Sequence, residues 1–191
     1  MSIETRTWIL DGFLGNSKRL ETLRQRVEDE IGPAEIWKYQ TAGVTPIDRL
    51  ARVFRDILAW ETAPVNIIAY SMGGLVTRAA LAGRPMPNLK RVVFLHVPHH
   101  GTEMARLAPL PATRQMRPGS ALLKRLALQP WNVETLNVWC PGDLIVVPGS
   151  RARWESASEE AVCQVPAHIW PIYSKQWHAK IVQFLSASSD D

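Results

Sequence analysis

VNIIAYSMGGLVTRAALAG, running from Val65 to Gly83, carries a short apolar stretch through a single serine directly into a helix-forming stretch. Val65 to Tyr70 predicts a buried strand and Leu75 to Leu81 a helix, which leaves Ser71 on the sharp turn between them, its hydroxyl clear of both. A turn that tight crowds the residues two before and two after the serine. Small side chains are required at both places. The chain supplies Ala69 and Gly73, and Gly74 gives helix and strand further room to approach. The free N–H groups and positive dipole end of the helix then face the space above Ser71, where an oxyanion would be stabilised.

On either side of this stretch, strands alternate with amphipathic helices. Thr5 to Leu10 reads as a strand closed by the turn Asp11 to Gly15, after which Asn16 or Ser17 caps a helix with Leu20, Leu23, Val27 and Ile31 on one face. Gly32-Pro33 stops it, and Ala34 to Tyr39 is a second strand. Thr45, with Pro46 at the first helical position and Asp48 three after the cap, opens a helix carrying Ile47, Leu50, Phe54 and Leu58. Arg91 to Val97, Val133 to Cys140 and Ala161 to Pro166 complete a set of six strands. Ser174 caps a terminal helix with Trp177, Ile181, Phe184 and Leu185 on one face, and the tail SASSDD is expected to fray. Near-continuously apolar strands between amphipathic helices imply an α/β fold: a doubly wound, mostly parallel six-stranded sheet with helices on both faces. With 191 residues and no dividing linker, residues 1–191 are expected to form one domain, with a small cap-like excursion at 98–130 whose convincing helix is Ser120 to Leu128.

Composition sets the outer limits. Hydrophobic residues at 46% and charged residues at 21% are ordinary for a globular chain. No apolar run approaches the roughly 18 residues of a membrane span, and MSIETRTWIL lacks a basic start followed by an apolar signal core, so the expected compartment is cytoplasmic. Cys140 and Cys163 fall in strands, where a free thiol behaves as a small hydrophobe, and no disulfide framework is indicated. The net charge of +4 is mild but uneven: eight Lys or Arg against Glu103 alone between Arg84 and Arg125, read first as a solvated face, with weak contact with an anionic membrane or an acidic substrate as the alternative. Without a nucleic-acid-binding motif, no nucleic-acid partner is expected.

Ala69-Tyr70-Ser71-Met72-Gly73 resembles the nucleophile elbow of the α/β-hydrolases, Gly-x-Ser-x-Gly, and more closely the Ala-x-Ser-x-Gly variant of small bacterial lipases. The resemblance runs from Trp8 to Leu185 through five motif sites in order, at the size of a minimal α/β-hydrolase. In such sheets the site gathers at the C-terminal ends of the strands. After the first strand, Asp11-Gly12-Phe13 stands where the family has His-Gly-x; the backbone N–H groups of Phe13 and Met72 are the implied oxyanion hole. Asp11 departs from the family histidine, and a carboxylate pointing inward there would oppose an oxyanion. Val97-Pro98-His99-His100-Gly101-Thr102 resembles the family's Pro-His-x-Gly-Thr loop. Adjacent histidines point apart and no Cys, Asp or Glu completes a set nearby, so His99 and His100, with Tyr70, are assigned to the substrate pocket rather than to a metal. The segment Met116 to Leu126 resembles the family's Pro-x-Ser-x-Leu-Leu-x-x-Leu.

Pro141-Gly142-Asp143 places a carboxylate at a strand end, within the Gly-x-Asp-x-x-Val-Pro arrangement of the family's acid loop. Five histidines compete for the role of base. His96 is expected inside a strand and away from its end, His178 on the solvent side of the terminal helix, and His99 and His100 precede the acid, against the order Ser, Asp, His. His168 remains, on the loop before the last helix. The resemblance therefore implies a serine esterase or lipase-like hydrolase acting through an acyl-serine with Ser71, Asp143 and His168 and without cofactor or metal. A chain this short, with only the 98–130 excursion to serve as a lid and no signal sequence, is expected to take short, soluble acyl esters. Thioesterase, peptidase or acyltransferase chemistry on the same three residues, and an inactive binding protein with Asp11 as the sign of decay, are the alternatives.

Overall fold

The computed structural model describes residues 4–83 and 86–187. The expected frayed tail therefore lies outside the described residues from position 188 onward, as does Arg84. Six strands, β1 (Arg6–Leu10), β2 (Ala34–Ile36), β3 (Val65–Tyr70), β4 (Leu89–Leu95), β5 (Glu134–Trp139) and β6 (Glu159–Val162), form one all-parallel sheet in the order β2-β1-β3-β4-β5-β6. The helices are α1 (Glu21–Glu30), α2 (Ile47–Leu58), α3 (Met72–Leu81), α4 (Pro111–Met116), α5 (Ala121–Ala127), α6 (Trp170–Tyr173) and α7 (Lys175–Ser186).

Side chains alternate along a strand, so every strand buried on both faces feeds two cores. Trp8, Leu10, Ile67, Ala69, Val92 and Phe94 turn to one face and meet α2, α3, α4 and α5. Ile9, Ile68, Tyr70, Val93, Leu95, Leu136 and Val138 turn to the other and meet α1, α6 and α7. Phe54 of α2, fully buried, stacks on Trp37 at 4.9 Å and meets Trp8 edge-on at 6.3 Å. Truncating it to alanine would cost about 3–5 kcal/mol. The sheet's two outer strands are short, and β6 carries Glu159 and Glu160 exposed, which blunts that edge.

The differences from the sequence reading have local causes. β2 stops at Ile36 rather than Tyr39: the Trp37 N–H still donates to the Ile9 carbonyl at 2.9 Å, but beyond it the chain leaves the sheet, and the Trp37 and Tyr39 rings stack on one another at 4.6 Å and pack against the core. β4 ends at Leu95 because His96 turns to φ +49°. Neither Asn16 nor Ser174 makes a side-chain cap: α1 is entered through a 3₁₀ turn at Ser17–Leu20, and α6 leads directly into α7. Helix α2 begins at Ile47, with Pro46 flanking it. The 98–130 segment holds more structure than its one expected helix, adding a 3₁₀ turn at Glu103–Arg106 and α4, and Ala105, Ala112, Met116, Leu122, Leu123 and Leu126 anchor it in the core. Among the described residues, three of the eight basic residues between positions 84 and 125 are paired: Arg91 is buried against Glu134, Arg106 pairs with Glu103 and Arg125 with Asp48. Cys140 and Cys163 are buried and free. Among the described residues no helix is long and apolar enough to cross a membrane.

Candidate active site

Ser71 occupies the step from β3 to α3 at φ +53°, ψ −123°, a region L-residues rarely adopt and one that costs of order 1–3 kcal/mol. Its neighbours hold it there. The Ser71 N–H donates to the Leu95 carbonyl at 2.9 Å, and the β1 and β4 ends press so closely that only glycine fits against them. A Cβ on Gly12 would lie 2.7 Å from the Ser71 Cβ, and one on Gly74 would lie 2.1 Å from Val97 Cγ2.

The loop after β5 and the loop before α6 bring Asp143 and His168 to this turn. His168 Nε2 is 2.9 Å from Ser71 Oγ, and its Nδ1 is 2.7 Å from Asp143 Oδ2. With Nδ1–H donated to the carboxylate, Nε2 is left to accept from the serine hydroxyl. The other carboxylate oxygen, Oδ1, accepts the backbone N–H groups of Ile145 at 2.7 Å and Val146 at 2.9 Å. Burial pushes the Asp143 pKa up, but the hydrogen bond from His168, with the close approach of the His96 ring and the Val146 N–H, outweighs it and holds the carboxyl well below its ordinary range. Burial also pushes the His168 imidazole below its ordinary value, against the opposing pull of Asp143. His168 is therefore kept neutral and Asp143 ionised.

A cavity of about 540 Å³ opens beside Ser71, walled by Phe13, Tyr70, Met104, Met116, Val146 and Ile169 among others. Tyr70 lines this cavity, 5.1 Å from the His168 ring. Burial pushes its phenol well up, so it stays neutral. Among the described residues neither the Phe13 nor the Met72 amide meets a protein acceptor, which leaves both N–H groups free. Asp11 is buried, yet its carboxylate accepts the Gly12 N–H at 2.6 Å and is gripped by Arg19, with Arg19 Nε at 2.9 and 3.0 Å from its two oxygens. Arg19 in turn lies 5.2 Å over the Tyr70 ring.

The histidines need three corrections. His99 and His100 do not line this cavity but a second one of about 300 Å³. His99 is drawn away because its ring stacks on Trp154 at 4.7 Å and bridges Arg78 and Asn137, the buried polar residue that β5 turns to that face. Burial pushes its pKa well down, and the Arg78 guanidinium beside it, lying 4.9 Å over the Trp154 ring, is pushed down to about 10 by burial. His178 is buried rather than solvent-facing, held by Nε2 to the Ile172 carbonyl at 2.9 Å. His96 is buried as expected but stands at the strand end, its Nδ1 3.1 Å from Asp143 Oδ2. His96, Asp143 and His168 offer donor atoms within 4.8 Å of one another, the residue types of a small divalent-cation site. The sequence reading also passed over Arg19 and the role of Thr102. The Thr102 hydroxyl donates to Ile145 O at 2.6 Å and accepts from Val147 N at 3.0 Å, stapling the acid loop to the loop after β4. Its place in Pro-His-x-Gly-Thr was the available signal.

This parallel sheet and the helices around it are those of the α/β-hydrolase fold. No family model matches the chain, and no curated protein matches it in sequence. Solved structures do. The Bacillus licheniformis lipase BlEst2 in its mature form superposes with a TM-score of 0.78 at 13% identity, covering 98% of this chain and 94% of that one. A Paleococcus ferrophilus monoacylglycerol lipase gives 0.71 at 14% identity, covering 95% and 93%. The esterase domain of a Rhodothermus marinus protein gives 0.64 at 17% identity, covering 96% and 85%. The fold is shared at identities too low to carry substrate or activity across.

Proposed function

We propose that the chain is a serine hydrolase that cleaves carboxylic esters through an acyl-serine intermediate, with Ser71 as nucleophile, His168 as base and Asp143 as its orienting acid. The observation that carries this reading is the unbroken run from Ser71 Oγ through His168 to Asp143, 2.9 and 2.7 Å, at the wall of an apolar cavity. His168 takes the hydroxyl proton as Oγ attacks the ester carbonyl, and the imidazolium that results is held by Asp143. The carbonyl oxygen, now negative, is received by the Phe13 and Met72 N–H groups. Collapse expels the alcohol, which takes the proton back from His168. Water then enters, gives a proton to the same imidazole as its oxygen bonds the acyl carbon, and the C–Oγ bond breaks with His168 returning that proton to Oγ, which releases the acid and restores Ser71. No cofactor takes part in these steps.

A strained serine, a base kept neutral and a diverted Asp11 are hard to reconcile with an inactive binding protein. The cavity also revises the expectation of short acyl groups: about 540 Å³ with largely apolar walls is in the range that encloses drug-sized ligands, and accepts an acyl chain well beyond acetyl. Each methylene buried contributes about 0.8 kcal/mol, so kcat/KM is expected to rise roughly threefold to fourfold per methylene until the cavity fills. A series of p-nitrophenyl esters from acetate to decanoate, run on the protein and on Ser71→Ala, tests both points. The variant should lose at least about a thousandfold in kcat while keeping its fold. Hydrolysis persisting at the original rate in Ser71→Ala overturns the reading; a rate falling steadily from acetate onward overturns the chain-length part alone.

A further inference from the structure

His96 is the most deeply buried imidazole in the molecule and the least explained. It is fully excluded from solvent, its backbone is held at φ +49°, and neither ring nitrogen has a hydrogen-bond partner among the described residues. An imidazole left without partners in a core costs about 1–3 kcal/mol, and a left-handed backbone adds to that. An apolar side chain would avoid the first cost, so the position calls for a function.

Its surroundings supply one. His96 Nδ1 lies 3.1 Å from Asp143 Oδ2, at an angle too oblique for a hydrogen bond as the ring now stands, and its ring is 5.5 Å from that of His168. Oδ2 is the oxygen that His168 uses, whereas Oδ1 is fixed by two backbone N–H groups. A small turn about the soft χ2 of His96 would aim Nδ1–H at Oδ2. The carboxylate would then have four donors, two on each oxygen, and could not rotate away when His168 becomes an imidazolium.

On the reading that Ser71, His168 and Asp143 act together, we propose that His96 is a positioning residue for the acid, a second imidazole that holds Asp143 Oδ2 on His168 during catalysis. It touches neither cavity wall nor nucleophile, so its removal should act on kcat and leave KM alone. The ionisable groups facing this carboxylate and His168 are His96, Tyr70, Arg19 with its partner Asp11, and Cys140. Without the His96 N–H, Oδ2 serves His168 alone and grips its imidazolium more strongly, so the acid limb of kcat/KM should move to higher pH.

The test compares His96→Phe with His96→Asn in the full chain, assayed on one p-nitrophenyl ester in the presence of EDTA, with wild type and Ser71→Ala alongside. The asparagine amide can take the place of Nδ1 and tolerates positive φ, so it keeps the donor; phenylalanine fills the space without one. The Phe variant is expected to lose about 10- to 100-fold in kcat at unchanged KM, with its acid limb raised by about half a pH unit or more, and Asn should recover most of the rate and restore the limb. Wild-type activity abolished by Ser71→Ala establishes the underlying reading independently. With that in place, a Phe variant within about twofold of wild type, or Phe and Asn variants equally impaired with an unmoved limb, overturns the role assigned to His96. If the Phe variant does not fold, His96→Leu and the Asn variant's limb decide by the same criteria.

Discussion

Replacing Arg19 by methionine should damage both stability and turnover, and the structure sets the size of each. The Arg19 guanidinium holds both oxygens of Asp11, with side chains only 16% and 3% exposed, and no other cation pairs with that carboxylate among the described residues. Removing one partner of a buried pair leaves the other charge unpaired and costs about 3–5 kcal/mol; the residual exposure of Arg19 puts this case at the low end, about 3 kcal/mol. For a chain of this length that corresponds to a fall in Tm of roughly 6–12 °C. Turnover should fall as well. A freed carboxylate next to Gly12 and Phe13 opposes the negative charge that develops on the substrate oxygen, and loss of one oxyanion-hole contribution is worth about 10²-fold in kcat. Asp11→Asn on the Arg19→Met background removes the stranded charge, so the double variant should regain much of both losses. Urea or thermal unfolding followed by circular dichroism, with p-nitrophenyl ester kinetics on the four members of the cycle, reads both quantities. A single Arg19→Met loss under about 1 kcal/mol, or a double variant no better than the single, refutes the claim that Arg19 neutralises a charge the site cannot tolerate.

The lowered pKa of His168 keeps its neutral, proton-accepting form below the ordinary imidazole value of 6.5, so the acid limb of a kcat/KM profile should have its midpoint below pH 6.5; a midpoint above 7 contradicts it. The same sign governs stability: His168 and His99 resist protonation when folded but accept protons near pH 6.5 when unfolded, so unfolding free energy should decline as pH drops from about 7 toward 5, and a flat urea midpoint across that window counts against it. Gly74→Ala places a methyl 2.1 Å from Val97 Cγ2 and should destabilise by about 1–3 kcal/mol, with Val97→Ala on the same background recovering part of the loss in denaturant titrations.

The elbow was legible because its requirements are local. A strand, a strained residue and a helix in direct succession demand small neighbours, and Ala69, Gly73 and Gly74 are read from the sequence without any long-range information. The six strands and the buried faces of α1 and α2 followed from apolar periodicity, which survives because burial on both sides of a parallel sheet leaves little freedom of choice. What escaped is what depends on partners distant in sequence. His99 was assigned to the pocket by its loop, but Trp154 and Asn137, 55 and 38 positions away, draw it to the opposite side. His96 was placed inside a strand because RVVFLHV is continuously apolar up to it, and nothing local announces the positive φ that ends the strand one residue earlier. Asp11 looked ambiguous for the same reason: its orientation is set by Arg19, on the next 3₁₀ turn, whose reach back across the loop no local pattern encodes.

The central claim is that Ser71 is an activated nucleophile, and a fluorophosphonate probe tests it most directly, since the reagent needs no knowledge of the substrate. Incubation with the probe, followed by tryptic digestion and mass spectrometry, should place a single phosphonyl group on Ser71. Labelling should be slowed by orders of magnitude in His168→Ala and absent from Ser71→Ala. An unlabelled wild-type protein, or label carried by another residue at equal rate in both variants, would contradict it.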